Sequence, residues 1–105
     1  MTEQPVNQEL ERIIRQYDPF YTQVWNQLTA VQQKALAIVR AESGLNLQSQ
    51  QIIRALEKGP AMMRRSLKAL VARDILREEE TQGRVHYRFE DPFLGVWVQF
   101  FAERL

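Results

Sequence analysis

The sequence contains no cysteine, and this absence excludes several classes of protein. Without thiols there is no disulfide scaffold, no cysteine nucleophile and no zinc site built on thiolates. Histidine occurs once, and glycine and proline occur four times each. No Gly-x-x-x-x-Gly-Lys-Ser/Thr segment is present, so the chain has no phosphate-binding loop of its own.

Long apolar runs are missing as well. The longest, Ala35–Val39, has five residues, whereas a transmembrane helix needs roughly 20. The first residues, Met1–Pro5, have neither a basic start nor an apolar stretch, so no signal peptide is visible. The sequence therefore favours a soluble, cytoplasmic protein without a membrane partner.

The 105 residues, 45% of them hydrophobic and 26% charged, fit one globular domain and not a disordered chain. The net charge of +1 hides an uneven distribution. Residues 54–88 carry nine basic and five acidic side chains, an excess of +4, and both flanking segments are acidic. The basic middle segment is where a binding face is expected, although an ordinary solvated helix surface has the same composition.

Apolar residues spaced three and four apart predict helices in the first two thirds of the chain. A helix over residues 7–28 is interrupted at Asp18-Pro19, because proline disfavours helical angles in the residue before it. The next helix begins at Thr29, with Gln32 as its capping-box partner, and ends at Ser43-Gly44. Two further helices are predicted over residues 49–56 and 60–73.

After residue 73 the apolar residues alternate with polar ones at every second position, which predicts a β-hairpin. Its strands cover residues 75–79 and 84–89 around a turn at residues 80–83, and Val85, Tyr87 and Phe89 form the apolar face of the second strand. Asp91 and Pro92 begin a last helix, with the aspartate as its cap. The predicted fold is mainly α with a small β-hairpin.

The order of these elements is that of a winged helix-turn-helix with N- and C-terminal helical extensions. In this order two short helices are joined by a tight turn, the second helix is basic, and a hairpin follows. We expect a single domain, 1–105, in which residues 1–28 form the N-terminal extension, 29–91 the winged core and 92–105 the C-terminal helix.

Two segments also resemble a known family. Residues 61–76 are similar to the recognition helix and first wing strand of many winged-helix domains. Residues 87–97, Tyr-Arg-Phe-Glu-Asp-Pro-Phe-Leu-Gly-Val-Trp, look like the end of the winged-helix domain that follows the P-loop module in archaeal-type and bacterial ATPases. The resemblance covers residues 20–101 and implies an accessory domain that either binds DNA or regulates an ATPase module, in cis or as a separate partner.

The residues with the charge and position for duplex DNA binding lie on the predicted second helix and hairpin. Arg64, Arg65 and Lys68 share one exposed side of the helix, where they can pair with guanine edges or phosphates. Glu78, Glu79 and Glu80 beside the turn oppose this role, because carboxylates repel a phosphate backbone. We expect them to pair across the hairpin with Arg84, His86 or Arg88, and the alternative is a wing that binds protein instead of DNA. The candidate nucleic-acid-binding residues are Arg64, Arg65, Lys68, Arg73, Arg84, His86 and Arg88.

Catalytic and metal-binding roles find no support in the sequence. His86 has no second histidine or cysteine, and alternation places it on the outward face of its strand as a surface residue or phosphate contact. Ser49 and Ser66 have no histidine partner and are expected to be a helix cap and a small packing residue. Asp74 and Asp91 are expected at a helix end and a helix cap. We therefore expect neither an enzyme nor a cofactor.

Aromatic residues gather near the two ends of the chain, which predicts that the terminal helices pack on each other. The apolar residues of the last helix cover more than one of its faces, so we expect the side chains of Phe100 and Phe101 to remain exposed. They are the candidate partner face, either for a second copy of the chain or for another domain.

Overall fold

The computed structural model describes residues 5–45, 47, 50–56 and 58–100. It contains six helices and one antiparallel hairpin within these residues, in the predicted order and with a mainly α composition. The elements are α1 (Pro5–Gln16), α2 (Asp18–Asn26), α3 (Ala30–Ala41), α4 (Gln50–Leu56), α5 (Pro60–Ala72), β1 (Leu76–Thr81), β2 (Arg84–Phe89) and α6 (Pro92–Phe100).

The break at Asp18-Pro19 is confirmed: α1 and α2 are separate helices with Tyr17 between them. Proline stands in the first turn of α2, where its missing amide hydrogen costs no hydrogen bond. The helix pair begins at Pro5, two residues earlier than predicted.

Both ends of α3 have the predicted chemistry. The Thr29 hydroxyl accepts a hydrogen bond from the Gln32 amide at 3.1 Å, and the Gln32 side chain accepts one from the Thr29 amide at 3.0 Å. After the helix, Ser43 and Gly44 adopt positive φ angles of 56° and 76°, and the Gly44 amide donates to the Val39 carbonyl. This geometry satisfies the last helical carbonyls.

The tight connection to α5 is also as predicted, since Gly59 is extended and Pro60 is the first helical residue. The helix ends at Ala72, and Arg73 is its C-cap residue. Asp74 follows with a positive φ of 61°, as expected at a helix end. Ser49, predicted to cap α4, lies outside the described residues.

The hairpin turn is shorter than predicted. Glu80 pairs with Val85 and Thr81 with Arg84, so both strands continue to a two-residue turn of Gln82 and Gly83. These two residues have φ angles of 53° and 77°, the positive values that a type I′ turn requires. The prediction of a four-residue turn at 80–83 was therefore wrong. The twist of a type I′ turn matches that of the strands, so strand pairing continues up to Thr81 and Arg84.

The C-terminal end of α3 lies directly against the hairpin. The Tyr87 amide donates to the Gly44 carbonyl at 3.1 Å, and a Cβ atom at position 44 would overlap the Tyr87 carbonyl oxygen. Only glycine allows this approach, and it fixes the position of β2 relative to α3.

One core joins all helices and the base of the hairpin. Trp97 is fully buried, and its ring lies 5.9 Å from that of Tyr21 and 6.0 Å from that of Trp25. The prediction that the terminal helices pack on each other is therefore confirmed. Leu67, on the side of α5 that faces the core, is buried as well.

Two hydrogen bonds connect α2 and α6 reciprocally. The Trp97 indole donates to Asp18 at 2.6 Å, and the Tyr21 hydroxyl donates to Asp91 at 2.7 Å. Asp91 also caps α6, as predicted, by accepting from the Phe93 amide at 3.0 Å. Burial, followed by the hydrogen bond to Asp91, raises the pKa of the Tyr21 hydroxyl well above its usual value.

No helix in the described ranges combines the length and the apolar character that crossing a membrane requires.

Candidate nucleic-acid interface

The outer side of α5 presents three cations. Arg64, Arg65 and Lys68 are exposed, while Met63, Leu67 and Leu70 on the opposite side anchor the helix in the core. Across the described ranges of the chain, none of the three cations has an ion pair or hydrogen bond. Their charges are therefore available to a ligand.

A groove of about 610 Å³ separates this side of α5 from the hairpin. Val71 and Tyr87 contribute apolar surface to its lining, and Glu78 contributes a carboxylate across from the α5 cations. Burial, and secondly the charge of Glu78, raise the pKa of Tyr87 above its usual value. The groove is therefore cationic along the helix and acidic along the hairpin.

The strand register divides the hairpin into two faces, because successive side chains point to opposite sides of a strand. The inner face faces α5 and carries Leu76, Glu78, Glu80, Val85, Tyr87 and Phe89. The outer face points away from α5 and carries Arg77, Glu79, Thr81, Arg84, His86 and Arg88. Val85, expected to face the core, is 48% exposed because it pairs with Glu80 near the tip of the hairpin, away from the core.

The seven predicted site residues are therefore not brought to one surface. Arg84, His86 and Arg88 lie on the outer face, where they line a pocket with Arg40 and Ser43 at the end of α3. They do not extend the cationic side of α5. Sequence reasoning missed Arg40, because its position depends on the packing of α3 against the hairpin.

Arg73 is also separate from the α5 cations. At about 100° per residue it lies about 180° around the helix axis from Arg64 and about 140° from Lys68, and it is about 12 Å along the axis from Arg65. It is exposed beside Phe20 and Val24 of α2, in a different hollow.

Cross-strand pairing holds for one of the three glutamates. Glu79 contacts Arg77 at 3.0 Å, Arg88 at 2.8 Å and His86 at 3.2 Å. Glu78 and Glu80 lie on the inner face, where they have no ion pair among the residues that the structure describes. The expectation that all three pair across the hairpin was wrong for these two, since the register turns them away from Arg84 and Arg88.

His86 is not the surface residue that alternation predicts. Its side chain is only 12% exposed and its Nε2 atom faces the carboxylate of Glu79, which stands directly opposite in the register. Within the described part of the chain, no group of three or more histidine, aspartate or glutamate side chains has a geometry that could hold a metal ion.

The aromatic face is partly present. Phe100 is 44% exposed on α6, and Tyr17 and Phe20 are exposed on the α1–α2 side. Phe101 lies outside the described residues. Phe100 is therefore exposed, as expected from the sequence.

The arrangement as a whole defines the class of protein. The helices α4 and α5, joined by the turn before Pro60, form a helix-turn-helix, and the following hairpin is its wing. The chain belongs to the family described as a probable winged helix domain, which it matches over residues 19–100. The comparisons with curated proteins and with solved structures found no match. The family gives the chain a fold used for DNA binding or regulation.

Proposed function

We propose that the chain is a cytoplasmic duplex-DNA-binding domain that places α5 in the major groove. The observation that supports this is the set of three exposed, unpaired cations on one side of α5, Arg64, Arg65 and Lys68. An α-helix fits the major groove, and guanidinium groups there can bind guanine edges or phosphates. The outer face of the hairpin does not take part, because it points away from α5.

Binding is expected to be weak and strongly dependent on salt. Three phosphate contacts give a slope of about −2.7 for log K against log salt. The carboxylates of Glu78 and Glu80, on the inner face of the wing, reduce the affinity further. We expect dissociation constants of about 10⁻⁴ to 10⁻⁶ M for duplexes without a specific site.

Fluorescence anisotropy with a 20-base-pair duplex tests the proposal. Arg64→Ala, Arg65→Ala and Lys68→Ala are each expected to weaken binding and to shallow the salt slope by about 0.9. Arg12→Ala is the matched control, since it also removes one positive charge. Arg12 belongs to α1 and not to α5, and it forms a surface ion pair with Glu9. Absence of wild-type binding at about 0.1 mM protein, or an equal loss in the control, would refute the proposal.

A second function, protein interaction within an ATPase, is favoured by the mixed character of the groove. A cleft with cations on one wall, Glu78 on the other and apolar contributions from Val71 and Tyr87 suits a protein segment better than a uniformly anionic duplex. The resemblance of residues 87–97 to ATPase winged-helix domains makes a P-loop module the proposed partner, in cis or in trans.

Substitution of Glu78 separates these two functions. If DNA occupies the groove, Glu78→Gln removes a repulsion and tightens duplex binding. If a protein segment occupies it, the variant leaves duplex binding unchanged and alters the ATP turnover of the partner module when the two are assayed together. A reading frame that places a phosphate loop beside this domain would identify that module.

We also propose that the exposed aromatic surface that includes Phe100 mediates contact with a second copy or with the ATPase module. The large apolar side chain is 44% exposed on α6, and such surface tends to acquire a partner. Sedimentation of wild type and Phe100→Asp tests this proposal.

A further inference from the structure

A second cationic site lies on the side of the hairpin that faces away from α5. It is a pocket of about 650 Å³ between the end of α3 and the outer face of the hairpin. Its polar lining comprises guanidinium groups, an imidazole and hydroxyl groups from separate segments of the chain. We call it the outer-face pocket, with Arg40, Ser43, Arg77, Arg84, His86 and Arg88 as its defining residues.

The arginines of the pocket are only partly neutralised. Arg84 has no ion pair within the residues described, and Arg40 donates only to the uncharged amide of Gln99, at 2.9 and 2.8 Å. Arg77 and Arg88 share the carboxylate of Glu79.

A second carboxylate, that of Glu90, approaches Arg77 only at 3.9 Å. Among the residues that the structure describes, four guanidinium groups therefore face two carboxylates, which gives this concave site a positive excess.

The strand register places two of these charges in an unfavourable position. Arg77 stands directly opposite Arg88, and like charges in such cross-strand positions destabilise a hairpin. Glu79 bridges the two arginines and thereby reduces the repulsion. A bound anion would offset the excess that the carboxylates of the described residues leave.

From this geometry we infer that the outer-face pocket binds phosphate groups. Guanidinium groups bind phosphate oxygens through two parallel hydrogen bonds, and the Ser43 hydroxyl adds a short-range donor. Arg84 and Arg40 are the principal ligands, because no carboxylate in the described part of the chain pairs with them. The phosphates come either from a free polyphosphate or from the backbone of a single-stranded nucleic acid.

The inference does not depend on DNA binding by α5, and the experiment keeps the two sites apart. All titrations use the full chain carrying Arg64→Ala, Arg65→Ala and Lys68→Ala, after circular dichroism has shown that it is folded. The probes are inorganic tripolyphosphate, followed by calorimetry, and a labelled five-nucleotide thymidine strand, followed by anisotropy. Both are titrated to about 1 mM at low salt, where phosphate contacts are strongest.

We expect at least one probe to bind this background protein. Arg84→Gln and Arg40→Gln are each expected to weaken that binding about tenfold, the scale of one charge-assisted hydrogen bond. Arg12→Gln, which removes the same charge from α1, is expected to change it less than twofold.

The result identifies the source of the phosphate as well. Binding of tripolyphosphate assigns the pocket to a free polyphosphate, and binding of the oligonucleotide alone assigns it to a nucleic-acid backbone. The inference is overturned if neither probe binds, if Arg84→Gln and Arg40→Gln have no effect, or if Arg12→Gln weakens binding as much as they do.

Discussion

Replacing Gly44 with alanine is predicted to destabilise the domain far more than the same change at Gly83. Both glycines have nearly the same positive φ, 76° and 77°. They differ in surroundings: a Cβ at Gly44 would overlap the Tyr87 carbonyl oxygen, whereas a Cβ at Gly83 meets nothing within 4 Å. The pair therefore separates backbone strain from steric overlap.

The magnitude follows from three contributions. Alanine at positive φ costs about 1 kcal/mol at either position. At position 44, displacing β2 also adds an overpacking cost of about 1–3 kcal/mol, and the hydrogen bond from the Tyr87 amide is worth about 1 kcal/mol. The expected loss is thus about 3–5 kcal/mol for Gly44→Ala and about 1 kcal/mol for Gly83→Ala.

Thermal unfolding followed by circular dichroism measures the difference. For a domain of this size each kcal/mol lowers Tm by roughly 4–8 °C, so Gly44→Ala is expected to melt at least about 12 °C below wild type. Gly83→Ala is expected to fall by only about 4–8 °C. Equal melting temperatures for the two variants would refute the close contact between α3 and β2.

The remaining predictions address the core, the groove, the hydroxyl of Tyr21 and the aromatic face. Leu67→Ala opens a cavity beneath α5 and is expected to cost about 2–5 kcal/mol in urea unfolding; an unchanged midpoint would mean that the helix is rotated. Glu78→Gln is expected to tighten duplex binding about threefold, since two unit charges about 7 Å apart in water interact by about 0.6 kcal/mol, and unchanged or weaker binding would contradict DNA in the groove. Because folding raises the pKa of Tyr21 above its unfolded value of 10.0, its contribution to stability is complete below that pH and is lost as the pH rises toward the folded pKa. Tyr21→Phe should lower stability at neutral pH and flatten the alkaline loss, and an equally steep loss in the variant would assign it to another group. Phe100→Asp is expected to give a folded protein of lower sedimentation mass at about 100 µM, and a strictly monomeric wild type would exclude a second copy as the partner of this surface.

Local signals in the sequence predict the helices well. The capping box of Thr29 and Gln32, the Asp18-Pro19 break and the Gly59-Pro60 boundary each act over a few residues and need no tertiary context. The basic side of α5 follows from helical spacing alone, so its three exposed cations were predictable.

Alternation correctly separated the two faces of β2, but it did not show which residues of β1 share each face, because that depends on the register. Reading Gln82-Gly83 as a two-residue turn would have paired Thr81 with Arg84 and Glu79 with His86, and so placed Glu78 opposite Tyr87. Gly83 was a signal for this short turn, but Glu80 and Thr81 are polar and were therefore assigned to the turn instead of the strand. Arg40 offers no comparable signal, since it reaches the hairpin only through the close approach at Gly44.

The reciprocal hydrogen bonds between α2 and α6 have a consequence for synthesis. Asp18 and Trp97 are 79 residues apart, so α2 leaves the ribosome long before its partner exists. At a synthesis rate of about 5–20 residues per second, the aromatic side chains of α2 remain without α6 for about 4–16 s. During that interval the apolar side of α2 is open to chaperones and to neighbouring chains. The core around α2 is thus complete only after α6 has been synthesised, and truncation within α6 is expected to expose the apolar side of α2 and to favour aggregation.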